Sequence, residues 1–238
     1  MTKIINEKTE HQPKRTRLWV LLWVMSLFPT LGTLCYFTGL APPTLSKIIY
    51  GSIKWFTVVW PWMLYFWWAK KVLHLPSRGI RKIDVYWGLL TGICVAGFMW
   101  FLSLALGDQL AAFSHQIRDK VVQLDLADHY WTFGLFLSLV HSGIEEVYWR
   151  WCAYGLCKKL MPAKWAHIFA GIAFASHHVV VLWFFSNAMM ALTFGAMVAL
   201  GGILWSLLFE RTGRLWASWL SHAVIDLMIL WIGFIAIF

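Results

Sequence analysis

The chain has 238 residues, of which 60% are apolar and 18% aromatic, and only 13% are charged. Its mean hydropathy is +0.65, a composition that excludes a soluble domain and indicates an integral membrane protein. The formal net charge of +9 does not indicate a nucleic-acid partner, because the basic residues fall in short connections between apolar runs.

Residues 1–17 form a polar, basic tail. The apolar run that follows is too long for a signal-peptide core and lacks a small-residue cleavage site, so it reads as a retained first span. A helix needs roughly 20 apolar residues to cross the hydrocarbon core. That length marks about seven candidate spans, at 18–40, 48–69, 84–106, 130–157, 165–185, 188–209 and 215–237. The expected fold is an all-α, polytopic membrane helix bundle, with 18–129 as an N-terminal group of spans and 130–238 as the half that carries the chemistry. Lys54, inside the second span, reads as a side chain that snorkels to the interface. Residues 108–125 are not a span. Leu110, Phe113, Ile117, Val121 and Leu124 recur there at helical spacing among polar residues, the pattern of a helix lying on the membrane surface.

The connections differ in charge. The tail has Lys14, Arg15 and Arg17, and the loop 70–83 has Lys70, Lys71, Arg78, Arg81 and Lys82. The connection 158–164 has Lys158, Lys159 and Lys164, and 210–214 has Arg211 and Arg214. These are alternate connections, so the positive-inside rule makes them cytoplasmic and sets an N-in, C-out topology in a cell (inner) membrane. Cys35, Cys94, Cys152 and Cys157 lie in apolar segments without CxxC spacing and read as small buried hydrophobes.

Charged groups at membrane depth cost at least ~2.5–3.5 kcal/mol each on insertion scales, so they mark function first. The fourth span, in "HSGIEEVYWR", has His141, Glu145, Glu146 and Arg150. The fifth span has His167, His177 and His178, and the seventh has His222 and Asp226. At about 1.5 Å per residue these groups fall in one slab of the membrane. Residues four apart share a helix face, so Glu146 is expected to pair with Arg150 through a bidentate fork, leaving Glu145 on another face without that partner. A carboxylate so placed suits general acid–base work. Asp226, one turn from His222, is expected to orient that imidazole. His167 reads as a satisfied packing residue, His141 as either a partner of Glu145 or a packing residue, and spacing does not choose between His177 and His178.

"EEVYWR" fits EExxxR, "FASHH" fits FxxxH, and "HAVID" fits HxxxN/D, in that order on three separate spans. In this the chain resembles the CAAX-protease and bacteriocin-processing family of intramembrane glutamic endopeptidases, over roughly 130–230. The resemblance implies a hydrolase that cleaves a membrane-associated protein or peptide substrate inside a membrane cavity. It further implies that Glu145 and His178 activate a water, that Glu146 and Arg150 orient and balance the site, and that His222 and Asp226 face the scissile carbonyl oxygen. It implies no cofactor. Two departures stand out. Trp151 follows the arginine, where the family often has glycine. The third motif ends in Asp226, and an ionised carboxylate, unlike an asparagine amide, cannot donate to an oxyanion.

Other readings use the same residues. Glu145, His178, His222 and Asp226 have the donor types of a zinc site, although HExxH is absent. A non-catalytic scaffold or immunity protein would keep its role without Glu145. A proton-coupled carrier would be expected to show internal repeats, and none is visible.

Overall fold

The computed structural model describes residues 15–69 and 73–238. The basic tail up to Lys14, and Lys70 and Lys71 of the second basic loop, lie outside the described residues. Helices follow one another throughout: α1 Arg15–Thr38, α2 Pro43–Met63, α3 Lys82–Ala105 and α4 Gly107–Gln123, then the short α5 Tyr130–Leu135, α6 Ser142–Glu145 and α7 Gly155–Leu160. The long α8 Ala163–Phe185, α9 Ala188–Thr212 and α10 Trp216–Ile237 complete the chain. No strand occurs among the described residues.

Five of these helices, α1, α3, α8, α9 and α10, are continuous and apolar enough to cross a membrane. The second and fourth predicted spans have a different character. The second runs through α2 and ends in the π-helical turn Leu64–Ala69. The fourth, residues 130–160, is a broken helix in which α5, α6 and α7 are separated by the π-helical stretches Phe136–His141 and Glu146–Tyr154. The predicted surface helix is α4. None of its residues is buried within the protein.

The broken helix is the centre of the bundle. Tyr148, Trp149, Trp151, Cys152, Ala153, Tyr154, Leu156 and Cys157 are all buried, and they join one core with Leu22 and Met25 of α1, Phe174 of α8 and Trp205 of α9. Trp151, the departure from the family pattern, donates its indole N–H to the His74 carbonyl at 2.9 Å and packs against the rings of Trp62 and Tyr65. It thereby ties the broken helix to the end of α2 and to the loop that follows.

Small residues set the spacing around this core, as in membrane helix pairs generally. On α3, Gly88 and Gly92 meet α10, where an added Cβ would come within 2.9 Å of the Ala217 carbonyl oxygen and 3.2 Å of Ser221 Cα. On α8, a Cβ at Gly171 would lie 2.6 Å from the Ala199 carbonyl oxygen of α9. These approaches bring α3 against α10 and α8 against α9.

The basic connections meet at one end of the molecule. Arg15 Nη2 donates to the Leu160 carbonyl at 2.8 Å, and Lys158 pairs with Glu210. Ser77 N donates to the Gly213 carbonyl, Arg81 to that of Thr212, and Arg214 to those of Arg78 and Gly79. The buried Asp84 caps α3 and faces both Arg81 and Arg214.

Candidate active site

The intramembrane polar groups that the sequence singles out converge. Glu145 closes α6, and Glu146 opens the following π-helical stretch, so both sit where the helix changes its winding. π-Helical turns are rare and cluster at functional sites. Their wider turns also change the angular step between residues, so faces inferred from a 3.6-residue period drift.

Glu145 is not without partners. His141 Nε2 lies 3.3 Å from its Oε1, His177 Nε2 lies 3.6 Å from the same oxygen, and His222 Nε2 lies 3.7 Å from Oε2. Glu145 lacks Arg150 as a partner, as its spacing predicts, but its own helix supplies His141 and α8 and α10 supply further imidazoles. His141 is therefore the partner of Glu145, one turn earlier in the chain. His178 lies close by, with a ligand-capable nitrogen within 4.8 Å of the carboxylate and of His177. Its Nδ1 donates to the Phe174 carbonyl of its own helix at 3.1 Å, which leaves Nε2 for the site.

Glu146 and Arg150 do pair, at 3.4 Å from Nε to Oε1, with both side chains almost fully buried. The expected bidentate fork is absent: Oε2 makes no hydrogen bond within the protein, and the same Oε1 also accepts a hydrogen bond from His222 Nδ1 at 2.9 Å. The guanidinium lies instead over two aromatic rings, 4.5 Å from the Phe174 ring centroid and 4.9 Å from that of Trp205. Glu146, rather than Asp226, thus fixes the orientation of His222. With Nδ1–H given to Glu146, Nε2 points between Glu145 Oε2 and Asp226 Oδ1, the latter at 3.6 Å.

Aromatic rings wall this cluster. Trp149 stacks on His177 at 5.7 Å and 6°, and Trp205 stacks on His222 at 3.8 Å and 17°. Glu146 Oε2, Arg150 Nη2 and His177 Nδ1 make no hydrogen bond within the protein although they are buried. Buried polar groups are normally satisfied, so such atoms are available to a substrate or to water. A cavity of about 760 Å³ reaches Glu146 from the end that bears the basic loops. Its walls are Trp62, Tyr65 and Phe66 on one side and Trp216 and Trp219 on the other, with Ser77, Arg78 and Gly79 at the rim.

All six residues expected from the sequence, Glu145, Glu146, Arg150, His178, His222 and Asp226, lie in or beside this cluster. The structure adds His141 and His177. The first was visible in its spacing of four from Glu145; the second was hidden by the adjacent His178. His167 stands apart and is satisfied, with Nδ1 2.7 Å from Ser206 Oγ and Nε2 2.7 Å from Glu210 Oε2, stacked on Tyr154. Zinc holds nitrogen and oxygen donors at about 2.0–2.2 Å. The metal-type set that comes together among the described residues is Glu145, His177 and His178. The set expected from the sequence used His178, His222 and Asp226 with Glu145, and therefore differs in its histidines.

The packing of Arg150 over two aromatic rings predicts the outcome of Arg150→Lys. An ammonium lacks the delocalised plane that packs over Phe174 and Trp205, so the substitution removes packing as well as shape while conserving charge. Folded yield and turnover are both expected to fall, measured by size-exclusion recovery and by cleavage per folded molecule. Wild-type values for both would refute this role of the guanidinium.

A helical membrane bundle that buries carboxylates and imidazoles against one guanidinium, beside an open cavity, holds the groups that acid–base chemistry within a membrane requires. Residues 127–228 match the family model described as Rce1-like, Type II CAAX prenyl endopeptidase Rce1-like. Through this segment, which contains all six expected site residues, the chain is similar to the CAAX-protease and bacteriocin-processing family. Its five long apolar helices mark an integral membrane protein with the bilayer as its surroundings, and the family it matches is one of proteases. Comparison with the curated proteins and with the solved structures returned no match.

Proposed function

We propose that the protein is a glutamic intramembrane endopeptidase that cleaves a membrane-associated protein or peptide by water attack, without a covalent intermediate. The observation that carries this is Glu145 held among His141, His177 and His222, with His178 beside it. Glu145, aided by the α8 histidines, takes a proton from the water as its oxygen bonds to the carbonyl carbon. The carbonyl oxygen becomes the oxyanion and accepts a hydrogen bond from His222 Nε2–H, whose ring Glu146 orients. Asp226 can assist only as the protonated acid or by holding the proton on His222. The proton on Glu145 then passes to the leaving amine as the C–N bond breaks, and the carboxylate is restored. Substrate reaches the site through the aromatic-walled cavity.

The experiment is cleavage of membrane-anchored peptides, prenylated and unprenylated, by the purified protein in liposomes. Specific products that form with a chelator present support the proposal; no cleavage of any peptide, with Glu145→Gln leaving the cellular phenotype intact, supports a scaffold. One observation favours a second reading, metal-assisted hydrolysis: the proximity of Glu145, His177 and His178. Activity abolished by chelation and restored by zinc would select it.

We also propose that the end bearing the basic loops is cytoplasmic, with seven crossings in a cell membrane, so that the cavity opens to the cytoplasm. The loop charges support this. In a background freed of the native cysteines, Ser77→Cys should be protected from an impermeant thiol reagent in intact cells, and Ser114→Cys should react. The opposite labelling would invert the topology.

A further inference from the structure

α9 supplies no ionisable group to the cluster, yet one of its side chains touches both ends of it. We propose that Trp205 is a positioning residue of the site, which sets the plane of the His222 ring and the seat of Arg150. The inference rests on the peptidase reading above.

Trp205 is buried, and its contacts fix the indole. Its Nε1–H donates to Ser221 Oγ at 3.2 Å, it meets the Phe174 ring in a T-shaped contact at 5.6 Å and 81°, and it touches His222 and Arg150 of the site. Ser221 immediately precedes His222, and its Oγ also accepts from Thr91 Oγ1 of α3 at 3.1 Å. The indole is thereby tied to α3 and α10, on either side of the residue it orients.

The need for such a plane follows from the geometry of His222. The 2.9 Å bond from Nδ1 to Glu146 fixes one point of the ring. Rotation about that bond remains open, because the terminal torsion of an imidazole is broad. Such rotation would swing Nε2 out of the gap between Glu145 Oε2 and Asp226 Oδ1, at 3.7 and 3.6 Å. A ring stacked at 3.8 Å and 17° removes that freedom. The same indole takes the Arg150 guanidinium at 4.9 Å, so the group that balances Glu146 and the imidazole that Glu146 orients share one aromatic support. No acid–base role is involved, and none of the three sequence motifs contains this residue.

The test compares Trp205→Phe, Trp205→Leu and Ser221→Ala with the wild type. Phenylalanine keeps an aromatic face and leucine does not, although both shrink the side chain. Displacements of about 1 Å in an active site cost up to ~100-fold. On that scale Trp205→Leu should lose ~30–100-fold in kcat with KM nearly unchanged, and Trp205→Phe should stay within ~5-fold. A second readout needs no substrate: in protein labelled at histidine, the His222 ring resonance, assigned with His222→Ala, should carry an upfield ring-current shift. That shift should persist in Trp205→Phe and vanish in Trp205→Leu. An unshifted His222 in the wild type, an unchanged resonance in Trp205→Leu, or loss of kcat in simple proportion to melting temperature across the variants would overturn the proposal. If Trp205→Leu does not accumulate, Ser221→Ala decides, since it retains the ring and removes its anchor. A reduced shift with lowered kcat supports the role, and wild-type values for both reject it. Absence of peptidase activity in the wild type would count against the peptidase reading, while the resonance would still report on the stack.

Discussion

Glu145→Gln is expected to abolish at least ~99% of peptide cleavage while leaving the folded protein intact, because general-base removal costs typically 10²–10⁴-fold. The amide keeps the size of the carboxylate, and its oxygen can still accept from His141, His177 or His222, whose nitrogens lie 3.3, 3.6 and 3.7 Å from the carboxylate. What it loses is the capacity to take the proton of a water. Three imidazoles around one carboxylate also limit the structural damage, since a histidine that loses an anionic partner can remain neutral, whereas an arginine cannot. The measurement is initial cleavage rate per folded molecule in liposomes, beside His177→Ala and His178→Ala. A Glu145→Gln protein that cleaves at the wild-type rate removes Glu145 from the chemistry. The histidine pair separates two arrangements: greater loss in His178→Ala matches the family motif, and greater loss in His177→Ala follows the shorter contact to Glu145.

Much of this was legible from residue types and spacing, because the membrane makes charge conspicuous. A carboxylate in an apolar run has few tolerable explanations, so Glu145, Glu146, Arg150, His222 and Asp226 could be singled out without knowledge of the fold. Pairs four apart on one helix were also accessible: Glu146 with Arg150 and His141 with Glu145 are both in contact. The sequence could not show contacts made across helices. The hydrogen bond from His222 to Glu146 spans 76 residues of chain, and it makes Glu146 a nearer partner of that imidazole than Asp226. Nor did an apolar pattern reveal the π-helical stretches at Phe136–His141 and Glu146–Tyr154, which break the fourth predicted span while leaving its hydropathy unchanged. Trp205 carries no polar signal that distinguishes it among 18 tryptophans. It became visible only when α9 was placed against α10.

Glu146→Gln should show the opposite balance, with a large loss of stability and a smaller loss of chemistry. Glu146 has two partners, Arg150 at 3.4 Å and His222 Nδ1 at 2.9 Å, and its side chain is 1% exposed. The neutral amide can still accept from His222 through its oxygen, so the imidazole keeps its orientation. Arg150 has no such alternative: it is buried, it stays charged, and neither Nε nor Nη2 has a hydrogen bond within the protein to compensate. Breaking a buried ion pair by removing one partner costs about 3–5 kcal/mol, because the remaining charge is left unpaired. The aromatic faces of Phe174 and Trp205 recover part of this through cation–π attraction of about 0.5–2 kcal/mol, and the neighbouring Glu145 offsets some more. A net loss on the order of 2–4 kcal/mol should appear as poor accumulation and a melting temperature lower by roughly 5–15 °C. The molecules that do fold should cleave within about tenfold of the wild type, since the base, Glu145, is untouched. Replacing Arg150 together with Glu146, as Glu146→Gln with Arg150→Met, removes the unpaired charge and should restore part of the melting temperature, as buried ion pairs exchanged for apolar groups often do. A Glu146→Gln protein that melts like the wild type yet cleaves nothing would reverse the assignment, making Glu146 the base and Glu145 the group that holds its histidines.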